Sequence, residues 1–179
     1  MTIPPLVVRA QAAAAERGFA RGCRDGDGAL LHVIAGSRGI ERVAVIGTGA
    51  GVGTAWLASA LAPGVRLYTA ERDAALAAAA ASLFSEDKDI RVLEGDWLTV
   101  LPPHAPFDLA FVDAGEAKDD PDAVLGIAAP GATLVLDGFS ASRAAADPRR
   151  ERWLTHPRLA SVMLGTGDDA VALVAVVRR

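Results

Sequence analysis

Val43-Ala44-Val45-Ile46-Gly47-Thr48-Gly49-Ala50-Gly51-Val52-Gly53-Thr54-Ala55-Trp56-Leu57-Ala58 is the stretch that decides the fold. Its first four residues are apolar and read as a buried strand; Gly47, Gly49, Gly51 and Gly53 follow at alternate positions. Residues 54–61 read as a helix, stopped by Pro63-Gly64. A strand, a glycine turn and a helix start make a nucleotide-type binding loop. Glycine lets the backbone approach a ligand, and the first N–H groups of a helix have no partner within it.

Outward from this loop, strands and helices alternate. Residues 65–69, 90–93, 107–112 and 132–136 read as further strands, 107–112 apolar almost throughout, as a buried parallel strand should be. Residues 73–84 read as a helix with Asp73 as N-cap, 121–128 as a short helix and 147–154 as another. Residues 159–164 and 171–177 flank Gly165-Thr166-Gly167-Asp168, a link too short for a crossover helix, so they form a hairpin. Before the loop, residues 5–20 and 28–35 read as helices. The expected architecture is α/β, a doubly wound and mostly parallel seven-stranded sheet that ends in an antiparallel hairpin. One domain, 1–179, is expected: a helical N-terminal segment (1–39) and an α/β core (40–179).

Composition narrows the class. The chain has 179 residues, 51% of them apolar, which suits a globular domain with a full core. No run of about 18 apolar residues is present, so no membrane span is expected. The start, Met1-Thr2-Ile3-Pro4-Pro5, lacks a basic region followed by an apolar core, so no secretion signal is expected. Cys23 is the single cysteine, which excludes an internal disulfide and fits a reducing cytoplasm. A net charge of −4 argues against a nucleic-acid backbone binder. Arg149, Arg150 and Arg152 read as a solvated helix face.

The strand ends carry the chemistry. In open sheets of this kind ligands bind beyond the carboxyl ends of the strands. The first strand carries the glycine loop there, the second Glu71, the third Glu94-Gly95-Asp96, the fourth Asp113 and the fifth Asp137. A single acid at such a point would read as a helix cap; a polar or glycine-rich end on every strand points to a ligand site. The dinucleotide spacing G-x-G-x-x-G fails, because Val52 or Thr54 falls where the last glycine belongs. An acidic rim also suits a pyrophosphate poorly. A ligand with hydroxyls, an adenine and a positive centre fits better. Glu71, twenty residues past Gly51, stands where a carboxylate accepts ribose hydroxyls.

The stretch 43–58 resembles the first motif of class I S-adenosylmethionine-dependent methyltransferases. More narrowly the chain is similar to the small O-methyltransferases that include the catechol and caffeoyl-CoA enzymes. The likeness continues through Leu67-Tyr68-Thr69-Ala70-Glu71-Arg72-Asp73, Glu94-Gly95-Asp96, 107–114 and 130–137, and resumes at His156-Pro157-Arg158. It implies a Rossmann-like methyltransferase fold and S-adenosyl-L-methionine as cofactor. Gly47, Thr48, Gly49 and Gly51, with Gly53, would pass under the methionine and ribose, and Thr54 would bind the methionine carboxylate. Glu71, with Arg72 beside it, would hold the ribose. Asp96, Gly95 and Trp97 would meet the adenine, although core packing explains Trp97 equally well. Asp113 would sit near the reacting methyl and, with Asp137, ligate a divalent metal such as magnesium. A homodimer with a small-molecule acceptor is also implied.

Three departures stand against that pattern. Val45 occupies the place of an acid that precedes the first motif glycine. Glu116 stands where the family has a catalytic lysine, with Lys118 two residues further on. Gly138 replaces the asparagine that completes the metal site. Asp113, Glu116 and Asp137 are the residues expected nearest the acceptor. They offer three carboxylates to a metal, or they cap helices and line the pocket without one. His32, His104 and His156 read as structural, misplaced and solvated or capping, respectively.

The expected chemistry is O-methylation of a small hydroxylated acceptor by an enzyme that aligns it with the cofactor and excludes water. Two rivals remain open from the residues: a methyltransferase-like module that binds without catalysis, and a nicotinamide-dependent oxidoreductase, which the failed glycine spacing and acidic rim oppose.

Overall fold

A computed structural model describes residues 2–19, 22–142 and 147–179. Seven strands form one sheet in the order β3-β2-β1-β4-β5-β7-β6: β1 (Arg42–Ile46), β2 (Arg66–Glu71), β3 (Ile90–Glu94), β4 (Phe107–Val112), β5 (Ala128–Ser140), β6 (Leu159–Gly165) and β7 (Ala170–Val177). β7 alone runs antiparallel, between β5 and β6. The apolar stretch at 171–177 is thus an interior strand. The expected sheet and its C-terminal hairpin are both present.

The strands alternate their apolar side chains between two cores. Val43 and Val45 of β1 face one side, where α1 (Pro5–Glu16), α2 (Asp25–Ala35), α3 (Val52–Ala58) and α4 (Ala74–Leu83) pack. Ala44 and Ile46 face the other, with α5 (Trp97–Val100), α6 (Pro121–Leu125) and α7 (Pro148–Thr155). Both faces are covered, which is why these strands read as continuous apolar runs.

Register places the site. Leu136, Val112, Ile46, Ala70 and Leu93 lie side by side across five parallel strands. One residue further along, Asp137, Asp113, Gly47, Glu71 and Glu94 therefore form a row at the same edge, with adjacent strands about 4.8 Å apart.

Several boundaries differ from expectation. α1 stops at Glu16, short of residue 20, because Gly18 takes a positive φ of 64°. Phe19 N–H then donates to Ala14 O and Gly18 N–H to Ala15 O, a Schellman turn. Ala20, the expected helix end, lies outside the described residues. α3 begins two residues early, at Val52, because Gly51 adopts the left-handed conformation before it. α6 ends at Leu125, since Ala128 already pairs with Phe107 of β4. β5 outruns its expected end at Leu136 because β7 continues to pair with Phe139 and Ser140. The alanine-rich segment after β5 lies partly outside the described residues, at 143–146.

α2 shows how tightly the N-terminal part is seated. A Cβ on Gly26 would lie 1.7 Å from the backbone oxygen of Thr166, and one on Gly28 would lie 2.1 Å from the Trp56 indole nitrogen. Glycine lets α2 approach the β6–β7 turn and α3 this closely. No described helix is long and apolar enough to cross a membrane.

Candidate functional site

A cleft of about 370 Å³ opens over the middle of the strand-end row, at Asp113, Gly47 and Glu71, and neither Asp137 nor Glu94 lines it. Gly47 and Gly49 form its floor, Glu71 and Arg72 one wall, Gly95 and Trp97 one end, and Asp113 with Ala114-Gly115-Glu116 the other wall. The floor is fixed by backbone bonds. Gly47 and Thr48 N–H both donate to Ala70 O, and Asp113 and Ala114 N–H both donate to Ile46 O. At Gly47, φ is +94° and a Cβ would come within 2.8 Å of Ala114 N, so only glycine lets the two loops meet.

Glu71 is braced on both oxygens. Oε2 accepts the Gly49 N–H at 2.8 Å and Oε1 the Asp73 N–H at 3.0 Å. Each oxygen keeps a further lone pair, so the carboxylate can accept donors from a ligand in the cleft. Asp73 also caps α4, as expected.

The other glycine-loop residues shape the floor from below. Thr48 Oγ1 shares a 2.5 Å hydrogen bond with Thr69 Oγ1, and the fully buried Thr54 hydroxyl donates to the same Thr69 oxygen at 3.4 Å. Gly51 and Gly53 lie against Phe84 and Phe111. None of these four lines the cleft. Asp96 is exposed, and its Oδ1 accepts the Leu98 N–H and caps α5. Trp97 is buried, yet it lines the cleft. It thus serves the core and the pocket together.

Phe19 was not anticipated from the sequence. The Schellman turn after α1 delivers its ring to the cleft, where a Cβ on Gly49 would meet it at 2.9 Å. The local signal was Gly18 followed by an aromatic residue.

Of the three carboxylates expected at the acceptor end, the structure brings Asp113 and Asp137 together and turns Glu116 away. Glu116 forms an ion pair with Arg72, a contact between the two walls of the cleft. Lys118, in a short 3-10 turn at Ala117–Asp119, meets the other two instead. Its Nζ donates to Asp137 Oδ1 at 3.1 Å and lies 3.8 Å from Asp113 Oδ1. The lysine is held by its own backbone, whose carbonyl accepts the Trp153 Nε1–H at 2.8 Å. Burial, then the nearby Asp137, pushes the Asp113 carboxyl up to about 7, against the opposing pull of Lys118.

A divalent metal does not fit these residues. Magnesium and calcium need oxygens at about 2.0–2.6 Å around an open centre. Here a buried ammonium stands beside both carboxylates, and Gly138 brings no ligand. Among the described residues, no group of three or more His, Cys, Asp or Glu is placed to hold a metal.

Charge elsewhere is used structurally. Arg149 makes a two-point contact with Asp119, and Arg152 donates to the Asp119 carbonyl. These two arginines brace the Lys118 turn, where a merely solvated face was expected. His104 stacks on Tyr68, His32 faces the Trp56 carbonyl, and His156 contacts Asp122. Near the acceptor end, buried Asp27 accepts a hydrogen bond from Thr166, and burial raises its pKa. Burial also pushes the Cys23 thiol up, which keeps it protonated and inert.

A seven-stranded sheet in this order, with β7 antiparallel and a glycine loop after β1, is the Rossmann-like methyltransferase fold. The chain belongs to the family described as "Methyltransferase domain", whose profile matches residues 44–139. The whole fold superposes on the O-methyltransferase TomG from Streptomyces achromogenes, solved in complex with SAM, with a TM-score of 0.81 and 30% identity over 99% of this chain and 92% of that one. Cofactor-bound Rv0187 from MTB gives a TM-score of 0.85 and 28% identity, covering 99% of this chain and 91% of that one. A Mycobacteroides abscessus protein described as "Putative O-methyltransferase" is 36% identical over 130 residues, 68% of this chain. That match spans only 60% of the relative's length.

Proposed function

We propose that the chain transfers a methyl group from S-adenosylmethionine to a hydroxyl oxygen of a small molecule. The observation that carries this reading is the Glu71 carboxylate, braced against Gly49 at the mouth of the cleft. It suits a ribose whose two hydroxyls donate to one acid. The solved relatives with SAM or another cofactor in place support the same ligand. In this reading Gly47 and Gly49 pass beneath the methionine and ribose, and Gly95 and Trp97 frame the adenine. Thr48, Gly51, Gly53 and Thr54 hold the loop's shape, and Asp96 orders the adenine end through α5.

The transfer is an in-line displacement. S-adenosylmethionine, held by Gly47, Gly49 and Glu71 and framed by Gly95 and Trp97, would supply an activated methyl group to the acceptor oxygen and would leave as S-adenosylhomocysteine. The acceptor's proton needs a base. Asp113 lies at the cleft wall with its carboxyl near 7, where it can take that proton near neutral pH. Phe19 and the Arg72–Glu116 pair border the cleft, where they help align the reactants.

The same reading makes the protein a cytoplasmic homodimer acting on a small molecule, not on nucleic acid. Exposed Val162 and Leu164 on the edge strand β6, with Val176 on β7, offer apolar surface for pairing. Product formation from labelled S-adenosylmethionine with a panel of phenols and catechols tests the activity. Methylated product supports it; cofactor binding without product from any hydroxylated acceptor would leave only a binding module.

A further inference from the structure

We infer that Lys118 is a built-in cation that takes the seat between Asp113 and Asp137, so that the chain works without a divalent metal there. The inference rests on the reading of the cleft as a methyltransferase site. Three observations carry it. First, the ammonium is at hydrogen-bond distance from Asp137 and within ion-pair distance of Asp113. A divalent ion bound to the same two oxygens would stand against a positive charge with little water between them.

Second, the position after Asp137 is Gly138, with φ +77°. A Cβ there would touch Lys118 Nζ at 3.4 Å. An asparagine tolerates that backbone, and any side chain at 138 would start in contact with the ammonium, so position 138 and Lys118 border the same space. The lysine stands two residues past Glu116, and the 3-10 turn brings it back to the strand ends.

Third, the lysine is not free to leave. Its side chain is 10% exposed. Its backbone is tied to Trp153, and the next residue, Asp119, is clamped by Arg149 and Arg152. Swinging the ammonium out would leave Asp113 and Asp137 without their cation, near the buried Asp27. Lys118 thus acts as a positioning residue: it fixes Asp113 toward the cleft and balances the charge that a metal would otherwise balance.

The test is a manganese titration of the S-adenosylhomocysteine-loaded protein near neutral pH, followed by the electron paramagnetic resonance signal of free Mn²⁺. Wild type is expected to leave the ion free into the millimolar range, about what an incomplete site allows. Lys118→Met, which keeps bulk and removes charge, is expected to bind one Mn²⁺ per chain at least about tenfold more tightly, and Lys118→Met with Gly138→Asn more tightly again. If Lys118→Met does not fold by circular dichroism, Lys118→Gln carries the same expectation. Stoichiometric micromolar Mn²⁺ binding by wild type would overturn the inference, as would folded charge-removed variants that bind no better than wild type. S-adenosylhomocysteine binding by wild type in EDTA is measured alongside. Its loss would sink the reading of the cleft, whereas the manganese result judges the lysine alone.

Discussion

Glu71 and Gly49, 22 residues apart in sequence, are joined by a 2.8 Å hydrogen bond from the glycine N–H to the carboxylate Oε2. The bond links the end of β2 to the loop after β1. It sets the acid and the loop backbone as one unit facing the cleft. Changes on either side of that unit have distinct expected outcomes.

Gly49→Ala tests the loop. The residue has φ +52°, and a Cβ would meet the Phe19 ring at 2.9 Å. The left-handed backbone alone costs about 1–2 kcal/mol for a residue with a Cβ. Chemical denaturation should show at least that loss, and less of it in a Phe19→Ala background, where the ring contact is gone. An equal loss in both backgrounds would mean that Phe19 does not lie on the loop.

Gly26→Ala tests the seating of α2. The added methyl would fall 1.7 Å from the Thr166 carbonyl oxygen, a backbone atom that cannot rotate away. Overpacking of this kind costs about 1–3 kcal/mol or more. A thermal melt should show a clear fall in Tm. A shift indistinguishable from wild type would place α2 further from the β6–β7 turn.

Asp27 predicts a pH dependence of stability. Burial raises its folded pKa above the ordinary aspartate value of about 3.9. The folded state therefore binds more protons than the unfolded one between those two values. Stability contributed by this group falls as pH rises through that window, and the penalty is complete above it. Asp27→Asn keeps an oxygen for the Thr166 hydroxyl and removes the charge. It should raise Tm at neutral pH, with the gain shrinking as the pH is lowered. A gain that grows in acid would contradict the assignment.

Asp113 predicts a pH dependence of turnover. Its carboxyl must be ionised to accept a proton, and burial holds it near 7. The kcat/KM profile should rise through about that pH and level off above it. Asp113→Asn should cut turnover by about 10²–10⁴-fold, the usual span for a positioned base, with cofactor affinity little changed. A wild-type profile flat from pH 5 to 8 would remove Asp113 from that role.

The sheet was legible because its strands are buried on both faces and bounded by Pro and Gly. The row from Asp137 to Glu94 was legible because parallel strands end together. Glu71 stood out by its distance from the glycines. What escaped were short-range backbone events. Gly18 turned α1 into a Schellman motif and carried Phe19 to the cleft. A 3-10 turn at Ala117–Asp119 exchanged Glu116 for Lys118 at the two aspartates, and Glu116 went to Arg72. The resemblance implies that Thr54 binds the methionine carboxylate, whereas its fully buried hydroxyl reaches Thr69 beneath the loop. Periodicity reports which face is buried; it does not report single-residue turns that re-aim one side chain.

Calorimetric titration with S-adenosylhomocysteine, comparing wild type with Glu71→Ala, tests the central claim most directly. Two hydroxyls donating to a charged acceptor contribute about 1.5–3 kcal/mol each, so Glu71→Ala should weaken binding by roughly a hundredfold or more while wild type binds one equivalent. A folded wild type that takes up no ligand, or a Glu71→Ala variant that binds as tightly as wild type, would contradict the account.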